Sequence, residues 1–245
     1  MIHRFHTLDS TNTKAKAMAL EGAPRGTVVV AEHQTGGRGR LGRSFDSPTG
    51  GIYMSMILRP NCPPTQLMHL TCAVAVAVCD AVEQTLSLRP QIKWINDLVF
   101  DGKKLGGILT ELSINPKTGL VDFAIIGIGL NCNRTVKDFP VELRSMACSA
   151  SMITGRPVDK DVLLAQILQA LNHMELSEKT DILQKYRQDC ITLGKEVVVL
   201  RGETQRQGVA VDINTEGALL VTFEDGHTET VDSGEVSVRG LCGYI

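Results

Sequence analysis

The chain has 245 residues, of which 43% are hydrophobic and 21% charged, and its formal net charge is −2. That balance excludes intrinsic disorder, and it excludes bulk attraction to nucleic acid, which needs many phosphates neutralised over one face. Seven cysteines, an odd number with no C-x-x-C pair, suit neither a disulfide framework nor a structural zinc site. The first residues carry no long apolar stretch behind a basic start, so no signal peptide is expected. The apolar-looking segment 67–82 is interrupted by His69, Thr71 and Asp80 and reads as too short to span a bilayer. The expected home is a reducing cytoplasm, with no membrane partner.

Taken in order, residues 2–7 alternate weakly and predict a strand. Asp9 or Ser10 can then cap a helix over 13–21, which Gly22 and Pro24 stop. The β-branched run 27–31 predicts a buried strand. It leads through Glu32-His33-Gln34 into Thr35-Gly36-Gly37-Arg38-Gly39-Arg40-Leu41-Gly42-Arg43-Ser44-Phe45, four glycines interleaved with three arginines and no acid. Glycines let backbone N–H groups approach a ligand closely, and guanidinium groups add charge and forked donors, so the loop is built to wrap a polyanion.

A strand over 52–58 follows, and then a long helix from Pro63-Pro64 through Val82 with apolar residues at three- and four-residue spacings. Further strands are predicted over 92–95, 105–111 and 120–128, antiparallel in one sheet. Helical patterning returns from Val158 and again over 182–186. After Gly194 the pattern changes to short strands over 197–200, 208–212, 218–223, 227–231 and 236–238. About fifty residues of short strands predict a small SH3-like barrel. The expected division is a catalytic domain over 1–192 and a β domain over 193–245.

Several motifs have plain structural explanations as well as chemical ones. Gly37-Arg38-Gly39-Arg40-Leu41-Gly42 satisfies G-x-G-x-x-G, but Ser44, Asp46, Ser47 and Pro48 cannot propagate the helix that a dinucleotide site requires. Ser10-Thr11-Asn12 are helix-start residues, yet three consecutive hydrogen-bonding side chains exceed what one cap uses. Lys93 sits in a β-patterned run, where it faces either solvent or a site, and Asn96-Asp97 suits a turn. Gly127-Ile128-Gly129-Leu130-Asn131 reads as a strand whose glycines admit a ligand or another strand. No HExxH, G-x-S-x-G or P-loop pattern is present, which removes support for zinc hydrolysis, serine acyl transfer and P-loop chemistry.

In chain order these pieces resemble the signature blocks of the biotin–protein ligases, the biotin–[acetyl-CoA-carboxylase] ligase family. The blocks are Ser10-Thr11-Asn12, then Gln34 with Gly37 to Arg43, then Lys93-Trp94-Ile95-Asn96-Asp97. Lys103-Lys104-Leu105-Gly106-Gly107-Ile108-Leu109, Gly127 to Asn131, and the tail Ser233 to Arg239 complete them. Two positions depart from the family pattern: Phe45 stands where Trp is usual, and Ile95 where Pro is usual. Relatives that repress biotin genes begin with a winged helix-turn-helix, so the resemblance is to the monofunctional type without a DNA-binding role.

The resemblance implies an α+β fold, a mixed, largely antiparallel sheet with helices of the class II synthetase-like kind, plus the small C-terminal SH3-like domain. It implies ATP with Mg²⁺, biotin as substrate, a lysine of a biotin carboxyl carrier protein as acceptor, and a monomer or homodimer. Lys93, Arg38 and Arg40 become the expected catalytic residues. Ser10, Thr11, Asn12, Gln34, Gly37, Gly39, Trp94, Gly107, Gly127 and Gly129, with Arg38, Arg40 and Lys93, become the expected biotin site. Arg38, Arg40, Arg43, Phe45, Asn131 and Arg239 would meet the nucleotide, and Asp97 and Asn96 would orient the metal. The rivals are a lipoate or octanoate ligase of the same superfamily, whose Arg-Arg-x-Ser-Gly-Gly-Gly block is absent here, and a nucleic-acid-binding module.

Overall fold

The computed structural model describes residues 1–174, 178–232 and 236–240, the last five by their backbone. In chain order the elements are β1 (Ile2–Leu8), α1 (Thr11–Leu20), β2 (Val28–Gln34), β3 (Gly51–Leu58), α2 (Leu70–Leu86), β4 (Gln91–Lys93), β5 (Asp97–Phe100), β6 (Lys103–Ile114) and β7 (Val121–Asn131). Next come α3 (Ala150–Thr154), α4 (Lys160–Met174), α5 (Lys179–Asp189), β8 (Glu196–Arg201), β9 (Thr204–Ile213), β10 (Leu219–Phe223), β11 (Thr228–Val231) and β12 (Val236–Gly240). The chain forms two compact units, Met1–Leu67 with Leu105–Ala165 and Met68–Lys104 with Gln166–Ile245.

In the first unit the strands run β1-β2-β3-β7-β6. All neighbours are antiparallel except β1 and β2, which are parallel because the chain crosses between them through α1. Ser10 caps α1 by accepting from the Thr13 N–H, and Arg59 donates to the carbonyls of Ala19 and Ala23 at its far end. A cation there complements the helix dipole. Ala15 and Ala19 lie against Val29, Ile57, Phe123 and Ile125, so small helix residues bring α1 close to the sheet.

In the second unit α2 is buried along most of its length and ends at Ser87, a left-handed cap whose N–H bonds Glu83 O. With the preceding 3₁₀ turn, the helical stretch Pro64–Leu86 has 23 residues and is long and apolar enough to cross a membrane. This corrects the expectation that the segment is too short; with 61% of its apolar window buried inside the fold, it is a core helix. Arg89 ties α2 to α5 through a forked pair with Asp189 at 2.8 and 2.6 Å and bonds to Asp80 and Glu83. β5 was not foreseen, and with β4 it forms a tight hairpin.

The C-terminal strands form an antiparallel sheet of order β11-β10-β9-β8-β12, each at a position where a short β run was predicted. Val197, Val199, Leu219, Val221 and Phe223 bury alternate residues of β8 and β10. Six cysteines are described, all free and five of them buried. Burial pushes the Cys72 and Cys132 thiols up to about 12, which makes them inert packing residues.

His69, at the start of α2, has a buried Nδ1 with no hydrogen-bond partner among the described residues. Burial and Lys179 hold its imidazole below the ordinary 6.5, with Glu216 opposing. The unfolded chain therefore takes up this proton first, so the stability due to neutral His69 is present above about 6.5 and declines below it until the folded group also titrates. Between pH 7.5 and 5.5 the urea midpoint of the His69→Gln variant should fall less than that of the natural protein. Parallel declines would show that His69 is not coupled to folding.

Candidate active site

The site in the first unit starts from three rungs of the sheet. β3 and β7 pair Ile57 with Ile125, Ser55 with Gly127 and Tyr53 with Gly129. The first rung lies under α1, as described above. At the second, a Cβ on Gly127 would collide with the Asn12 carboxamide, and at the third a Cβ on Gly129 would meet the Phe45 ring at 2.6 Å. Absent side chains thus let the start of α1 and the end of the arginine loop rest directly on the strands. The close approach expected at these glycines is made by side chains of the protein itself: Asn12 covers Gly127, and Phe45 covers Gly129.

A continuous hydrogen-bonded chain runs above them. Gln34 Oε1 accepts from the Thr11 N–H at 2.8 Å and the Thr11 hydroxyl at 3.1 Å, while Gln34 Nε2 donates to Ser47 Oγ at 2.9 Å. Ser55 Oγ lies 2.8 Å from Thr11 Oγ1 and 2.6 Å from Asn12 Oδ1. Asn12 Nδ2 donates to Glu111 Oε2 at 2.7 Å, and Glu111 Oε1 lies 3.2 Å from Arg38 Nη2. Thr11 and Asn12 are 4% exposed and Ser55 is fully buried, so these polar groups depend on one another for satisfaction. The structure therefore brings Ser10, Thr11, Asn12, Gln34 and Arg38 together. It adds Ser55 and Glu111, which sequence reasoning missed; Ser55 had as its signal a polar residue in an otherwise apolar strand, and Glu111, on a strand with other polar residues, had none.

The arginine loop is a hairpin-like excursion in which Gln34 bridges Ser47 and Arg38 bridges Ser44. Its tip is a single 3₁₀ turn, Arg40–Gly42, with Leu41 at φ 54° and Gly42 at φ 73°. No helix begins there, which removes the dinucleotide reading. Gly39 was expected to offer its N–H to a ligand; instead that N–H donates to Arg43 O at 2.7 Å. Phe45 stands edge-on to Tyr53 at 6.3 Å, and the Tyr53 hydroxyl donates to Pro48 O at 2.7 Å. Burial pushes the Tyr53 phenol well up, with Arg134 partly offsetting it. Asn131 needs correction as an adenine contact: it is 4% exposed, donates to Cys148 O and accepts from Arg134.

The second unit holds Lys93 at the end of β4, opposite Asp97 in register, with Trp94, Ile95 and Asn96 in the turn. The Trp94–Ile95 peptide is cis. Trp94, expected to wall a biotin slot, is 5% exposed; its indole N–H donates to Gly217 O at 3.0 Å and its backbone N–H to Thr192 Oγ1 at 2.9 Å. The wholly buried Tyr186 hydroxyl donates to Ile95 O at 3.1 Å. The turn carrying Lys93 is therefore held from beneath. The Asp97 carboxylate pairs with Lys104 at 2.6 Å, and no cluster of three metal-binding acids, histidines or cysteines occurs among the described residues. Asp97 alone makes a poor metal cage and suits at most a hydrated Mg²⁺ held mainly by phosphates. Arg239 lies on β12 opposite Val198, and its side chain falls outside the described residues.

Residues 5–131 match the biotin/lipoate A/B protein ligase family and residues 192–239 the biotin protein ligase C terminal domain. The bifunctional ligase/repressor BirA of Bacillus subtilis is 36% identical over 236 residues, covering 89% of this chain and 68% of that one. The biotin–[acetyl-CoA-carboxylase] ligase of Mycobacterium tuberculosis is 32% identical, covering 93% and 85%. Among solved structures, the biotin protein ligase of Aquifex aeolicus in complex with biotin and ATP superposes with a TM-score of 0.83 at 31% identity, covering 98% of each chain. With residues 5–131 and 192–239 matched and relatives 36% and 32% identical over most of its length, this protein belongs to the biotin/lipoate A/B protein ligase family, among its biotin–protein ligases.

Proposed function

We propose that this chain couples biotin to AMP and passes it to a lysine of a biotin carboxyl carrier protein. In the first step a biotin carboxylate oxygen forms a bond to the α-phosphorus of ATP, and the bond to the β-phosphate oxygen breaks, releasing pyrophosphate. In the second, the neutral lysine amine attacks the acyl carbon, AMP leaves with the bridging oxygen, and the nitrogen gives up a proton. Both partners in the first step are anions, so the protein acts by neutralising charge and holding them in line.

Arg38, anchored on Glu111, is proposed to hold the activated carboxyl, with Arg40 and Arg43 closing along the phosphates. Lys93 stabilises the negative charge that grows on the phosphoryl oxygens, and Arg239 belongs with the nucleotide contacts. Ser10, Thr11, Asn12 and Gln34 are the proposed readers of the ureido group, which presents one acceptor and two donors, with Gly37 and Gly107 lining the approach. Mg²⁺ supplies phosphate neutralisation when bound. The division at residue 192, a cytoplasmic location and a monomer or homodimer are proposed with this reading.

One observation favours biotin over lipoate or octanoate. Beyond the family segment shared with lipoate enzymes, residues 192–239 match a domain named for biotin protein ligases. Pyrophosphate release measured with ATP and each acid in turn should be strong with biotin and at background with lipoate and octanoate. Equal or greater release with either fatty acid would replace this reading by its rival.

A further inference from the structure

Arg134 is the largest fully buried side chain among the described residues, 2% exposed, and it carries a charge. A buried guanidinium is costly unless paired and hydrogen-bonded. Its Nη2 meets Asp46 Oδ2 at 2.5 Å and Asp138 O at 2.7 Å; its Nη1 lies 3.2 Å from Asn131 Oδ1 and 3.5 Å from Asp46 O. The cation stacks 3.9 Å over the Phe139 ring, and Ser149 Oγ fixes its backbone carbonyl at 2.6 Å. Nε is buried and has no hydrogen-bond partner among the described residues. Packing alone would be served better by an apolar side chain, so the group is kept for what it holds.

What it holds is the root of the arginine loop. Asp46 follows Phe45 directly, and the same root is tied by Phe45 N–H to Gly37 O, Ser47 Oγ to Phe45 O and Tyr53 to Pro48 O. Arg134 supplies the one charged anchor in that set and simultaneously fixes which way the Asn131 carboxamide points. The pair spans 88 residues and connects the loop to the segment after β7.

We infer that Arg134, through Asp46, is a positioning residue for the nucleotide: it keeps the Phe45 ring seated over Gly129 where the adenine is to stack. The inference rests on the ligase reading above, and it predicts a defect in ATP use with biotin recognition spared, because the Thr11–Gln34–Asn12 chain does not pass through Arg134.

The test is steady-state pyrophosphate release with ATP and biotin titrated separately, alongside calorimetric biotin binding without ATP, for the natural protein, Arg134→Gln, Arg134→Lys and Asp46→Asn. The expected result is an ATP KM raised on the order of tenfold in Arg134→Gln and Asp46→Asn, below the ~100-fold that misplacing a reacting group can cost. Biotin Kd should stay within about twofold of the natural value in the same variants, and Arg134→Lys, which keeps the charge but loses the fork, should recover part of the loss. If Arg134→Gln fails to fold, Asp46→Asn carries the test, since its side chain is 37% exposed. An unchanged ATP KM, or equal losses in ATP and biotin binding, overturns the inference while leaving the ligase reading intact. Absence of pyrophosphate release by the natural protein defeats the ligase reading and takes this inference with it.

Discussion

Lys93→Ala should lose biotin-dependent pyrophosphate release by on the order of 10²–10³-fold, the cost typical of deleting one donor aimed at developing transition-state charge. The side chain sits at the end of a three-residue strand whose neighbours do the packing: Ile92 is fully buried and Trp94 is 5% exposed and bonded to Gly217. Removing the lysine therefore leaves the hairpin's supports from Thr192 and Tyr186 in place. Thermal melting and circular dichroism should match the natural protein, while kcat falls and biotin binding without ATP changes little. A variant that keeps more than a tenth of the natural rate would take Lys93 out of the chemistry. A variant that melts early would show that the residue serves the turn instead.

That contrast bears on what the chain's letters reveal. Ser10-Thr11-Asn12 was readable because a helix start uses one capping side chain, and the surplus had to go elsewhere; it goes to Gln34, Ser55 and Glu111. Gly127 and Gly129 were readable as places of close approach, since glycine inside a strand gives up packing. What approaches was not readable, because Asn12 is 115 positions away and Phe45 is 84, and no local pattern encodes such pairings.

Ser55 escaped because a lone serine in an apolar strand is small enough to pass as packing, and Glu111 because an acid in a strand with other polar residues ordinarily faces water. Arg134 escaped for the same reason in stronger form: burial of an arginine depends on an acid far along the chain. The parallel pairing of β1 and β2 was implicit in a strand–helix–strand order and accords with the expected mixed sheet. Trp94 misled because an aromatic next to a candidate lysine suggests a wall, whereas the indole N–H, once buried, needs an acceptor and finds it at Gly217.

Gly127→Ala is expected to damage both stability and biotin binding. The added carbon would strike Asn12 Oδ1 and come within 2.9 Å of Cγ and 3.0 Å of Nδ2, and the carboxamide it strikes is held by its own hydrogen bonds. Asn12 lies in the first turn of α1, pinned by the Ser10 cap and by bonds to Ser55 and Glu111. Either the helix start lifts or the carboxamide rotates, and both outcomes break Asn12 from Glu111 and loosen the anchor of Arg38. Overpacking of this kind costs about 1–3 kcal/mol of stability. Biotin affinity should fall further, by about 100-fold or more, because buried polar partners are left unpaired. The double variant Gly127→Ala with Asn12→Ala separates the two effects: relieving the collision should recover part of the unfolding midpoint, the rest staying lost because buried Ser55 loses a partner, while calorimetric biotin binding stays weak because the carboxamide is gone. If Gly127→Ala alone binds biotin as the natural protein does, Asn12 is not part of the biotin site and the polar chain above the sheet is structural.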